Sequence, residues 1–175
     1  MSSAYQFRMA GGFPGAINRS HPVSVVPEPI DSVTPPTLYG QPVLINQAAD
    51  AGQYMVRPFV TGDSAQQPWG FTVRPFPIQA SSTTNNGAAT IGGATPPATG
   101  VIDIMRSGYM TVNLPAGGSP QKGQQVYVRV AASATIHVMG AVEAASDGGN
   151  TVALTGAVFN GSADANGNVE IAFNI

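Results

Sequence analysis

The chain has 175 residues, 43% of them hydrophobic and only 9% charged, with a net charge of -2 and no cysteine. The length is enough to bury one core, and the missing cysteines exclude disulfides and thiolate chemistry. A single lysine, Lys122, and no basic run argue against a nucleic-acid partner, because phosphate binding needs Lys and Arg to displace counterions.

Residues 1–36 read as an extended, Pro-rich arm. Tyr5, Phe7, Met9, Phe13 and Ile17 are apolar at odd positions, interrupted by Gly11-Gly12 and Pro14-Gly15. The opening residues lack the basic and apolar regions of a signal peptide, so synthesis in a cytoplasm is expected. From Pro22 the text Pro-Val-Ser-Val-Val-Pro-Glu-Pro-Ile favours extended or polyproline II backbone, since proline fixes φ and removes a donor. One reading is a floppy tail. The other is an arm docking on a neighbour through Tyr5, Phe7, Arg8, Phe13 and Arg19, with the Pro-rich stretch carrying these anchors away from the body.

Residues 37–175 read as a β domain. Pro42 to Asn46 is a short apolar run, and Gln53 to Val60 and Trp69 to Pro77 each carry Val-Arg-Pro-Phe. A proline at the same place in both suggests strand ends or edges, where no ladder donor is needed. Arg57 and Arg74 then sit at comparable rims, either open to partner carboxylates or merely solvated. The tract 81–100 holds no charge, no aromatic and one large apolar residue, Ile91. Such a tract has little to offset the entropy lost on ordering, and is expected to be a long loop that tolerates deletion of Asn85 to Gly93.

From Asp103 onward the apolar residues alternate with a period of two, as on strands with one buried face. Met110, Val112 and Leu114 share one face; Val126, Val128 and Val130 another; Val169, Ile171, Phe173 and Ile175 a third, with Glu170 pointing out. Pro-Ala-Gly-Gly-Ser-Pro, Ser-Asp-Gly-Gly-Asn and Ala-Asn-Gly-Asn between them are turn signals. No persuasive helical window occurs. The expected fold is all-β, an antiparallel β-sandwich or barrel-like (jelly-roll-like) domain with an extended N-terminal arm. No apolar run approaches the ~20 residues that cross a bilayer, so no membrane partner is expected.

The search for chemistry yields no catalytic, cofactor or metal residues. His21 precedes a proline, and His137 is expected on the outward face of a strand; neither has a second ligand at metal spacing. No Gly-x-Ser-x-Gly elbow marks a nucleophile. The Asp147 and Asp164 stretches lack the repeated acidic ligands of calcium loops, and turn chemistry accounts for them better.

In their order, several pieces resemble the structural cement (head decoration) proteins of tailed bacteriophages. These are Gly12-Phe13-Pro14-Gly15-Ala16-Ile17, Gly70-Phe71-Thr72-Val73-Arg74, Lys122 to Val128, Gly149 to Thr151 and the final alternating strand. The resemblance implies a non-enzymatic protein that binds the outside of an assembled head and bridges adjacent capsomers. Its partners would be the major capsid protein and neighbouring copies of itself as a homo-oligomer, and its place the virion exterior after synthesis in the host bacterial cytoplasm. The alternative, from the residues, is a carbohydrate-binding or tail-fibre/adhesin module with Tyr54, Trp69 and Phe71 as its platform. A hydrolase with an unrecognised carboxylate pair ranks last.

Overall fold

The computed structural model describes residues 12–47, 52–75, 95–131 and 136–175. The deletable stretch Asn85 to Gly93 lies outside them, as do Tyr5, Phe7 and Arg8. Among the described residues the strands are β1 (Ser24–Pro29), β2 (Pro42–Gln47), β3 (Tyr54–Pro58), β4 (Gly70–Thr72), β5 (Val101–Asn113), β6 (Gln125–Arg129), β7 (Val142–Glu143), β8 (Thr151–Phe159) and β9 (Asn168–Phe173). Every strand pair is antiparallel, in the order β3-β2-β4-β5-β9-β8-β6-β7, with β1 on β5. The sheet curls into a half-barrel, and the all-β, barrel-like expectation holds.

Strand β5 joins the two halves. Its first part pairs with β1 and β4, and its second part, from Gly108, pairs with β9. Between them the register slips: Val25 faces Met105 but Ser24 faces Ser107, leaving Arg106 as an extra residue. A bulge of this kind reverses which side chains point inward. Accordingly Ile102 and Ile104 enter one apolar cluster, while Met110, Val112 and Leu114 enter another.

The larger cluster lies between the halves and takes Phe59, Phe71, Val126, Val128, Leu154, Phe159, Val169, Ile171 and Phe173. The smaller one fills a ring of strands. β5 pairs with β1, Ile30 bridges Val56 of β3, β3 pairs with β2, β2 with β4, and β4 returns to β5. Inside it sit Ile30, Tyr39, Val43, Val56, Ile102 and Ile104, with Trp69 packed against them.

Three expectations are corrected. The described part of the arm lies on the body: β1 is a strand of the ring, and Ile17 bridges Met110. Its prolines permit this because of the alternation along β5. The Asp103 carbonyl accepts from Val73 N on the β4 side, so residues 102 and 104 turn to β1, opposite Glu28 and Val26. Pro27 and Pro29 thereby fall where no donor is required.

Ile175 does not share the buried face of Val169, Ile171 and Phe173, for it is 59% exposed. The strand stops at Phe173, and Asn174 takes φ 50 while its N–H donates to Gly156 O at 2.9 Å. Finally, His137 is not on a strand. Its Nδ1 lies 2.9 Å from Glu143 Oε1.

Candidate functional site

The sequence places Phe13 in the arm and Arg74 at a strand end; the fold brings them together. Residues 13–16 form a tight turn in which Ala16 N donates to Phe13 O at 2.9 Å, and Gly15 adopts φ +82. Gly15 is clamped on both sides, its N–H donating to Thr111 O at 2.8 Å and its carbonyl accepting from Arg74 N at 2.9 Å. A Cβ there would stand 2.7 Å from Tyr39 Cβ, so only glycine fits.

The Arg74 guanidinium lies 5.9 Å from the Phe13 ring centre and 5.0 Å from that of Tyr39, and its Nε donates to Pro14 O at 3.1 Å. Burial pulls the Arg74 pKa down from its ordinary value and pushes that of Tyr39 up. Phe13 itself is 51% exposed. The corner borders a cavity of about 210 Å³ lined in part by Pro14, Leu38, Tyr39, Arg74, Pro115 and Val142. A cation held between two aromatic rings beside a shallow apolar cavity is suited to gripping another protein chain.

Arg19 sits on the body as well. Its guanidinium lies 3.8 Å from the Tyr109 ring centre, and Nη2 donates to Glu170 Oε1 at 2.7 Å. Asn18 Nδ2 donates to Glu170 Oε2 at 3.1 Å, and Asn160 Nδ2 donates to Oε1. Burial works to raise the Glu170 pKa, but the donors Asn160, Arg19 and Asn18 outweigh it and hold the carboxyl below its ordinary range.

Arg57 is not open to a partner's carboxylate. It forks onto Asp63 of its own chain, Nη1 to Oδ2 at 2.7 Å and Nη2 to Oδ1 at 2.9 Å. Asp63 also accepts from Val60 N at 2.8 Å. Burial pushes the Asp63 carboxyl up, yet the Arg57 fork and the Val60 N–H bring it below its ordinary value.

Two further clusters escaped the sequence reading. Trp69 Nε1 donates to Glu28 Oε1 at 2.8 Å, and the Arg106 guanidinium stands 3.3 Å from the indole ring centre. Phe71, expected beside Trp69 on an exposed platform, is fully buried in the larger core. In the second cluster buried Arg129 meets Asp147, and Glu143 Oε1 lies 3.7 Å from Arg129 Nη1. Arg129 is the charge that could have flagged it, since it closes β6 directly after Val126, Tyr127 and Val128. Among the described residues no group of three His, Asp or Glu side chains is placed to hold a metal ion. The Asp164 turn behaves as expected, its Oδ1 accepting from the N–H groups of Asn166 and Asn168, both at 2.9 Å.

Comparison with known proteins gives a consistent picture. The family model of the XM1 gp53 minor capsid protein matches residues 1–173. A chain from the solved structure "The capsid of Myoviridae Phage XM1" superposes with a TM-score of 0.60 at 18% identity, covering 99% of this chain and 97% of that chain. No curated protein matches.

Proposed function

Because the chain belongs to the XM1 gp53 minor capsid protein family, we propose that it is a cement protein that binds the outside of the assembled head and bridges major capsid subunits. The coarser statement, a structural protein of the phage virion associated with its capsid, follows from the family itself. The observation that supports the finer reading is the half-exposed Phe13 at the corner with Tyr39 and Arg74, on a chain whose residues 1–173 match a minor capsid protein family.

A protein that binds the assembled shell and not its free subunits stabilises the shell by mass action. Copies of this chain lying side by side as a homo-oligomer would strengthen each other's hold through effective concentration. The proposed contact is the corner of Phe13, Tyr39 and Arg74, together with Tyr5, Phe7 and Arg8 on the segment that precedes it. The functional arm is then the stretch before Gly12, and the body begins there. Phe13 is the side chain to test, since half-exposed rings at a charged corner are typical anchors.

Shells assembled without this protein provide the assay. Phe13→Ala and a chain lacking residues 1–11 are expected to melt as wild type but to decorate shells at least about tenfold more weakly. Wild-type decoration by both variants would remove this contact. Mass spectrometry of purified virions addresses the role itself: hundreds of copies per particle fit a cement, a handful does not.

A further inference from the structure

The groove at the mouth of the smaller strand ring has no part in the capsid contact proposed above, and it is built differently. It encloses about 410 Å³ and is lined by Glu28, Ile45, Tyr54 and Trp69. We propose that it is a binding site for a neutral pyranoside, such as a hexose unit of a bacterial surface polysaccharide.

The indole is pinned. Its N–H is given to Glu28 Oε1, and Arg106 stacks against the ring. The buried Arg106 Nε has no hydrogen-bond partner among the described residues, and the guanidinium is held against the indole and drawn by the charge of Glu28. Tyr54, which also lines the groove, is 58% exposed. Two aromatic side chains, one rigid and one open to solvent, offer apolar faces in a space of the size that small ligands occupy.

The polar equipment is equally specific. Oε1 of Glu28 accepts from the indole, while Oε2 has no donor among the described residues. The groove therefore presents a carboxylate acceptor next to aromatic carbon, and no donor of its own from Trp69. A pyranose matches that pattern, with C–H groups on one face for the rings and hydroxyl donors at its edge for the carboxylate.

A proline-rich peptide matches it poorly. Aromatic grooves that hold such peptides donate to the peptide's carbonyls, and here the indole N–H is already used. Proline residues also have no N–H to give Glu28. Anionic sugars are disfavoured because Glu28 is the one charged residue among the described residues that line the groove.

The chain has a single tryptophan, so its emission reports on this groove alone. The test titrates the full-length protein with methyl glycosides of glucose, galactose, mannose and N-acetylglucosamine, with glucuronic acid as the anionic comparison and a proline-rich peptide as the protein comparison. A saturable change in Trp69 emission with at least one neutral glycoside is expected. Tyr54→Ala should weaken it about tenfold, one lost stacking contact, with an unchanged melting temperature. Glu28→Gln should weaken it too, and Phe13→Ala should leave it untouched. The proposal falls if no neutral glycoside produces a saturable change, if Tyr54→Ala binds like wild type, or if only glucuronic acid or the peptide responds. Shell decoration by Tyr54→Ala should stay at the wild-type level, which keeps this site separate from the capsid contact.

Discussion

The rings of Phe71 and Phe173 meet edge to face, with centroids 5.1 Å apart and planes at 73°. Phe71 lies on β4 and Phe173 on β9, strands that β5 separates in the sheet. Their contact therefore crosses the core rather than running along a ladder. Both rings are fully buried, and such a pair contributes roughly 0.5–1.5 kcal/mol beyond the area it buries.

Phe173→Ala is accordingly expected to lower the unfolding free energy by about 3–5 kcal/mol, and Phe71→Ala by a similar amount. The double variant should lose less than the sum, because each single change already breaks the shared contact. Urea denaturation of the three variants measures this. A Phe173→Ala protein with the wild-type midpoint would contradict the register of β9.

That register was legible in the alternation of Val169, Ile171 and Phe173, since a half-buried strand leaves a period-two trace. The alternation could not tell where it ended, because Ile175 continues the pattern after Asn174 has turned the chain away. The bulge at Arg106, which reverses the inward side of β5, left one trace in the sequence, the mid-strand Gly108 at φ 140. Long-range pairings were the least legible. Glu170 reads as an outward residue, and nothing local says that Asn18 and Arg19, about 150 positions away, will find it. Arg74 and Phe13 were named separately, for separate reasons; only the clamped turn at Gly15 makes them neighbours.

The Gly15 clamp yields a second prediction. Its φ of +82 is costly for any other residue, and an added Cβ would press on Tyr39 at 2.7 Å and on Arg74 N at 3.0 Å. The positive φ alone costs about 1–2 kcal/mol. Gly52, at φ +64 with nothing within 4 Å, isolates that conformational part. Gly15→Ala should therefore be clearly less stable than Gly52→Ala. Equal losses in thermal denaturation would mean that the turn does not pack against Tyr39.

Glu170 gives a pH dependence. Its folded pKa lies below the ordinary 4.5, despite burial, because Asn160, Arg19 and Asn18 donate to the charged form. A depressed folded pKa means that the contribution is fully present above about pH 4.5 and is lost as the pH falls through the lower folded value. Glu170→Gln should lose on the order of 1 kcal/mol at neutral pH, as a charge-assisted cluster becomes neutral. It should also flatten the acid limb of the stability curve. An unchanged limb in a pH series of denaturant melts would show that other carboxylates govern acid unfolding.

Two truncations separate the body from the functional arm. A chain lacking residues 1–11 keeps every contact described for the turn and should melt as wild type. A chain lacking residues 1–20 loses Gly15 N to Thr111 O, Arg74 N to Gly15 O, Thr111 N to Ala16 O and Asn18 N to Tyr109 O. It also loses the Arg19 contacts to Tyr109 and Glu170. Backbone hydrogen bonds contribute roughly 0.5–1.5 kcal/mol each in net terms, so those four alone amount to about 2–6 kcal/mol. Water can reach some of the freed groups on β5, which places the expected loss toward the lower part of that range. Differential scanning calorimetry of both truncated proteins decides the matter. If the shorter deletion already lowered the melting temperature, residues before Gly12 would belong to the body; if neither did, the turn at Gly15 would not hold the isolated protein together.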